Sequence, residues 1–327
     1  MREKKEIITF HSGFGPVLDR FIRFKRACGY RYSPDSARLR CLDNFLYKEG
    51  WHSDEFPREL LKKWMERKDN ERPRNQDGRK SAVRQICLFL QCQGDAVDTS
   101  FIQQNGRFKR DFIPRIFTYD EIRSLLRAVD GLQYTIHSPM RHLIMPEYFR
   151  LLYFCGLRSG EARCMRLKDV DLERGLLTIR DGKGGKDRLV PLAWSIVRRL
   201  QKYAMFLTVK SPNAFFFPAP DGGQYGRKTV YDAYREVLRK AGIPHGGRGK
   251  GPRAHDLRHT YAVHRLIQWY REGADLNKKL SVLADYMGHE TLEGTQYYLH
   301  FTADLFPELT KRTEKAFGHI IPRRQDP

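Results

Sequence analysis

No stretch of this 327-residue chain approaches the roughly 18 consecutive apolar residues that a membrane-spanning helix requires. The N-terminus, MREKKEIITF, is charged but leads into no apolar run of the kind a secretory leader carries. Cysteine is sparse and shows no pairing pattern. Cys28, Cys41, Cys87, Cys92, Cys155 and Cys164 form no CxxC and lie among apolar residues of helix-like stretches. That argues against a disulfide framework or a zinc knuckle, and reads as small core residues in a reducing compartment. A cytoplasmic protein is expected. Acidic side chains are in deficit: 39 Asp and Glu face 60 Lys and Arg, leaving a net charge of +21 and an isoelectric point of about 9.8. Internal repeats and low-complexity tracts are missing as well.

What is present is enough apolar matter to fold. Hydrophobic residues make up 40% at a mean hydropathy of −0.63, and the length exceeds one comfortable core, so two domains are expected. The positive excess falls on both halves, +8 over residues 1–114 and +13 over the remainder. A disordered basic tail would concentrate it at one end. Two folded basic halves fit a protein that grips a polyanion, nucleic acid most simply; membrane-surface binding and plain solubility are the bland readings of the same charge.

Along the chain, apolar spacing predicts four short amphipathic helices in the first hundred residues: Phe14 to Cys28, one opening at Ser33-Pro34, one starting at Pro57, and Ala82 to Leu90 after a polar, proline-containing loop. Residues 94–116 are polar and aperiodic and look like a linker, taken at its narrowest as 106–116. Thr118 to Glu121 (TYDE) forms a capping box ahead of Ile122, Leu125 and Leu126, and a helical pattern runs on to about residue 175. The stretch LLTIRDGKGGKDRLVPL, Leu176 to Leu192, reads as a β-hairpin with Lys183 at its tip. Helices are expected again over Ser195–Leu207, Thr229–Ala241, His255–Arg271, Lys279–Met287 and Thr295–Leu299.

Three motifs mislead. HDLRH at 255–259 imitates the paired histidines of a zinc-protease helix, but Asp256 stands where Glu is needed and Arg258 sits badly between ligands. DGKGGKDR at 181–188 imitates a phosphate loop, yet lacks the GK[ST] ending and joins strand to strand. GGRGKG at 246–251 reads most simply as a mobile basic loop. No metal and no cofactor is expected. The informative residues are separated ones: Arg158 beside Gly156, Lys183, His255 and Arg258 on one helix face, Gly288-His289 after a helix end, and Tyr298 nine residues beyond.

Taken in order, GLRSGE, GKGGKDRLVPL, HDLRHT, the GHE that follows Tyr286-Met287, and TQYYLH resemble the tyrosine recombinase (phage integrase) family, in its XerC/XerD-like two-domain form, over roughly residues 115–305. The resemblance implies a mainly α (α+β) fold: a helical core-binding domain over 10–105, a linker over 106–116, and over 117–327 a mainly helical catalytic domain with a small antiparallel β-sheet and a C-terminal tail helix. It implies site-specific cleavage and rejoining of double-stranded DNA through a 3′-phosphotyrosine, without metal or ATP, by a homotetramer on two paired sites, with or without sister recombinases. Its catalytic set maps onto Arg158, Lys183, His255, Arg258, His289 and Tyr298.

Those residue types suit the chemistry. Arg158 and Arg258 offer planar forks to the non-bridging phosphate oxygens, and His289 adds a third donor. Tyr298, with a phenol near pKa 10, needs a base, for which His255 is the candidate, while Lys183 matches the family's lysine that protonates the leaving 5′-oxygen. Tyr297 and Lys186 are the neighbouring competitors for the roles of Tyr298 and Lys183. Glu161 reads as a supporting residue and His300 as structural or accessory. The long stretch Ile267–Lys278 resembles integrases of transposons and integrative elements. The tail, with Leu305, Phe306, Leu309 and Phe317, packs on its own domain or reaches a neighbouring protomer. A type IB topoisomerase-like enzyme and a catalytically silent DNA-binding regulator remain the alternatives.

Overall fold

The computed structural model describes residues 9–30, 33–103, 113–180, 187–247 and 251–301. The chain divides into two units, Met1–Asp111 and Phe112–Pro327. Among the described residues the protein is mainly helical with one small antiparallel sheet, the class expected.

The first unit is all α. Helix α1 (Gly15–Ala27) turns Val17, Leu18, Phe21 and Ile22 inward; α2 (Ser33–Lys48) adds Leu39, Leu42 and Leu46; α3 (Arg58–Met65) adds Leu61, Trp64 and Met65. Buried Asp43 anchors the entering chain, accepting from the backbone N–H groups of His11 (2.7 Å) and Ser12 (3.0 Å) and from the Ser12 hydroxyl (2.6 Å). Helix α4 (Pro73–Cys92) is twice the length expected, because the polar stretch before Ala82 is helical too. Pro73 occupies the first turn, where its missing N–H costs nothing. Buried Arg79 then fixes the stretch, donating to the carbonyls of Trp64 and Glu66 and pairing with Glu71. Polar composition concealed a helix held by one buried guanidinium. Ile102 is buried in this core, with Val97 and Phe101 against it, so the start of the stretch read as linker packs on the first unit.

The cysteines depart from expectation: Cys87 and Cys155 are buried, but Cys28, Cys41, Cys92 and Cys164 are exposed. Leu39 and Leu42 hold the inward positions of α2, which leaves Cys41 on the outer face.

In the second unit, α5 (Tyr119–Asp130) starts at the expected capping box: Thr118 Oγ1 accepts from the Glu121 N–H (3.1 Å), and the Glu121 carboxylate accepts from the Thr118 N–H (2.9 Å). Helix α6 (Arg141–Phe154) is buried along most of its length, the apolar axis of the unit. Its Tyr148 donates to the Ser159 carbonyl (2.9 Å) and sets the start of the short α7 (Ser159–Cys164). The helical reading to residue 175 fails beyond α7. A 3-10 turn at Leu167–Asp169 leads into strand β1 (Val170–Asp171), which pairs antiparallel with β2 (Leu176–Ile179); β2 pairs antiparallel with β3 (Arg188–Pro191), Leu177 opposite Val190 and Ile179 opposite Arg188. Two residues are too few for β1 to announce itself by alternation. The hairpin tip 181–186, with Lys183 and Lys186, lies outside the described residues, as does the tail from 302.

Helices α8 (Trp194–Ala204), α9 (Arg227–Lys240), α10 (Asp256–Arg271), α11 (Leu276–Met287) and α12 (Glu293–Gln296) follow, ending in a 3-10 turn at Tyr297–Phe301. Helix α10 packs against both α6 and α11, and buried Thr260 accepts the Phe117 N–H (3.1 Å), tying the start of the unit to it.

The Thr118 cap is exposed and local. Thr118→Ala is expected to cost about 1 kcal/mol in urea unfolding, and Thr118→Ser a few tenths; an alanine variant as stable as the parent would show that α5 does not depend on this cap.

Candidate active site

Four separated segments converge in the second unit. Glu161, in the first turn of α7, is the anionic centre. Its carboxylate accepts from Arg158 Nη1 (2.7 Å) and the Arg158 backbone N–H (2.9 Å), and bidentately from Arg188 on β3 (2.9 and 2.8 Å). Burial alone would raise its pKa. The hydrogen bonds and charge of Arg188, with the Arg158 N–H and the charge of Arg258, outweigh that and hold the carboxyl at about 2.

The arginines are further fixed by backbone carbonyls. Arg258, in the first turn of α10, is 1% exposed and donates to the carbonyls of Gly156 and Met287 (2.6 Å to the latter). Arg158 donates to the Gly288 carbonyl (2.6 Å), and Arg188 Nε to that of Tyr286 (3.0 Å). Three of these four carbonyls lie at the C-terminus of α11, where unsatisfied carbonyl oxygens and the helix dipole favour cations. Gly288 closes that helix at φ +66°, and a Cβ there would sit 2.9 Å from Arg188 Nη1. Glycine is required on both counts.

Around this cluster lie three histidines and the tyrosine. His255 is the N-cap residue of α10, and its ring meets that of His259, one turn on, at 4.8 Å and 88°. His289 shares a hydrogen bond between its Nδ1 and the hydroxyl of fully buried Thr295 (2.7 Å). Tyr298, on the terminal 3-10 turn, is 2% exposed; its hydroxyl is bonded to His259 Nδ1 (2.9 Å), and its ring lies 6.0 Å from that of His289. Burial, reinforced by the neighbouring arginines, lowers His255 to about 4 and His289 to about 3. Burial with His255 and the arginines lowers His259 to about 3. Burial and the charge of Arg158 bring Arg258 down to about 10, still a cation at neutral pH. The Tyr298 phenol is raised by burial against the opposing pull of Arg258 and Arg158, so it is protonated at neutral pH.

Arg158, Arg258, His255, His289 and Tyr298, all singled out in the sequence, therefore share one site, while Lys183 lies outside the described residues. The alternative tyrosine, Tyr297, packs against Phe301 at 5.1 Å, and His300 is exposed. Sequence reasoning missed Arg188, His259 and Thr295. Two had visible signals: Arg188 opens the second strand of the hairpin, and His259 stands four residues after His255 in HDLRHT. Three guanidinium groups around one carboxylate leave a site with excess positive charge, lined by neutral imidazoles. Such an arrangement has the charge and the donors to accept a phosphate-like anion beside a phenol.

The family model described as the phage integrase family matches residues 115–304, more than half of the chain. The chain belongs to the phage integrase family. Among relatives of this family, the putative integrase/recombinase y4rB of Sinorhizobium fredii is 28% identical over 93% of this chain and 98% of its own length. The tyrosine recombinase XerC of Chromobacterium violaceum is 30% identical over 71% of this chain and 70% of its own. In fold, the chain resembles the Tn1549 transposon integrase solved with a circular intermediate DNA (TM-score 0.60, 16% identity, 86% of this chain and 94% of that one) and XerH bound to a palindromic difH substrate (TM-score 0.55, 20% identity, 79% and 69%).

The buried neutral histidines make stability depend on pH. Their folded pKa values lie below the ordinary 6.5, so below pH 6.5 the unfolded chain binds protons that the folded chain refuses, and stability falls with pH. Each imidazole contributes up to about 1.4 kcal/mol per pH unit until its folded pKa is reached. Glu161, depressed from 4.5 to about 2, adds a further loss between those values. Urea unfolding of the DNA-free protein is expected to show a falling midpoint from pH 7 to pH 5; a flat profile would contradict buried neutral imidazoles.

Proposed function

We propose that this protein is a site-specific DNA recombinase that cleaves and rejoins DNA strands through a covalent 3′-phosphotyrosine on Tyr298, serving the integration, excision or transposition of a mobile element. The observation that carries this reading is the phenol of Tyr298, buried and hydrogen-bonded in a pocket where Arg158, Arg188 and Arg258 surround a single carboxylate.

The scissile phosphodiester supplies the missing negative charge. A guanidinium has five N–H donors, more than the carbonyls of Gly156 and Met287 consume on Arg258, so it can hold a non-bridging oxygen without giving up its anchors. Arg158, paired with Glu161 and anchored on the Gly288 carbonyl, is proposed as the second guanidinium to that phosphate. With Nδ1 of His289 accepting from Thr295, the ring keeps its proton on Nε2, where it donates to the phosphate. These preorganised donors stabilise the charge that builds on the in-line transition state. Tyr298 Oη attacks phosphorus, and the departing 5′-oxygen takes a proton from Lys183, the residue the motif assigns to that task. The phosphotyrosine keeps the energy of the broken phosphodiester, so religation needs no nucleotide. His255 lies within the same cationic shell and completes the catalytic set.

The first unit, basic and helical, acts as the core-binding domain, and phosphate contacts make binding steeply salt-dependent. XerH and the Tn1549 integrase, similar in fold, were both solved on DNA, and double-stranded DNA is the substrate proposed here, bound by four protomers on two paired sites.

The test is a suicide-substrate assay. Nicked duplexes drawn from the flanks of the native gene are incubated with the protein in EDTA and run on a denaturing gel. A covalent adduct is expected with wild type, none with Tyr298→Phe, and about 10²–10³-fold slower formation with Arg258→Ala. Adduct that survives Tyr298→Phe would move the nucleophile to Tyr297. Adduct without exchange between two sites would indicate a topoisomerase-like enzyme, and duplex binding with no adduct a silent regulator.

A further inference from the structure

The shared catalytic shell contains a histidine that no motif role accounts for. His259 lies one turn beyond His255 on α10, and its Nδ1 stands 2.9 Å from the Tyr298 hydroxyl, with ring centroids 5.5 Å apart. We propose that His259, and not His255, takes the proton from Tyr298 as it attacks the phosphodiester, and returns it when the phenolate leaves. The inference rests on the reading of Tyr298 as nucleophile.

The geometry is that of a nucleophile and its base, within hydrogen-bond reach before substrate arrives. With Nδ1 accepting, the imidazole carries its own proton on Nε2, and Nδ1 has a lone pair directed at the hydroxyl. The ring of His255 lies edge-on to that of His259 at 4.8 Å. The groups facing His259 are His255 and Arg258 on α10, Arg253 before it, His289 after α11, and Tyr298 itself. They and burial keep it neutral throughout the physiological range, and therefore able to accept. A bound phosphodiester anion opposes those cations and raises the basicity of the ring at the moment it is needed.

The step balances. The Tyr298 O–H bond breaks and its proton passes to Nδ1, giving an imidazolium. The phenolic oxygen bonds to phosphorus, and the bond from phosphorus to the 5′-oxygen breaks, that oxygen gaining its proton from the general acid. In religation the 5′-hydroxyl attacks, and the departing phenolate recovers the proton from Nδ1.

A base and a strut differ in how their loss depends on pH. His259→Gln keeps an oxygen that can accept the phenolic hydrogen bond but cannot take the proton. Single-turnover adduct formation on the nicked duplex is measured from pH 6 to 9 for wild type, His259→Gln and His255→Gln, with circular dichroism and duplex gel shift as controls for folding and binding. His259→Gln is expected to be at least about 10²-fold slower at pH 6. The ratio of wild-type to variant rate then shrinks about tenfold per pH unit, as hydroxide supplies the phenolate that His259 no longer makes. Parallel profiles, a variant equal to wild type, or a converging profile in His255→Gln instead would each overturn the assignment. Should His259→Gln fail to bind duplex, the wild-type rate in D2O decides: slowing is expected for a proton in flight, and no change overturns the proposal. If wild type forms no Tyr298-dependent adduct, the reading of the whole site falls with it. Normal wild-type adduct with parallel profiles removes only the role of His259.

Discussion

Three guanidinium groups held within reach of one carboxylate are the constraint on which the site depends. Like charges at this separation repel, and burial removes the water that would screen them. Glu161 offsets part of that repulsion by accepting from both Arg158 and Arg188. Backbone carbonyls offset more, and Gly156, Tyr286, Met287 and Gly288 supply them. Among the described residues, three guanidinium groups against one carboxylate leave the cluster with excess positive charge. A site of this composition can accept an anion from outside the chain, the place that the proposed function gives to a phosphodiester.

Burial and the same excess charge act together on the titratable groups nearby. Burial first, and then the neighbouring cations, keep His255, His259 and His289 neutral. The charge pulls the Tyr298 phenol towards ionisation while burial pushes it the other way. The tyrosine accordingly rests as a protonated, hydrogen-bonded side chain.

Helix ends do the positioning. The C-terminus of α11 presents carbonyls to all three arginines, the first turn of α10 carries His255, Arg258 and His259, and the start of α7 carries Arg158 and Glu161. The two glycines that turn the chain there, Gly156 at φ +59° and Gly288 at φ +66°, have no room for a side chain: a Cβ would come within 2.6 Å of Tyr261 in one case and 2.9 Å of Arg188 in the other. Both glycines stand next to residues that form the site, which is why GLR and GH are legible as motifs.

Much of this protein could be read from the sequence by itself. Local rules determined the helices with clear apolar stripes, the capping box at Thr118 and the hairpin pairing of β2 with β3, because each depends on residues close together in the chain. Motif order determined the family and the identity of Arg158, Arg258, His255, His289 and Tyr298 as residues to watch. Tertiary structure decided the rest. The helix before Ala82 exists because buried Arg79 reaches back to Trp64 and Glu66, a long-range contact with no periodic trace. Strand β1 exists because β2 offers it an edge. Arg188, His259 and Thr295 are ordinary polar residues until folding sets them against Glu161, Tyr298 and His289. A single sequence records which groups are available, whereas which hydroxyl meets which nitrogen is settled only when segments more than a hundred residues apart are packed around one carboxylate.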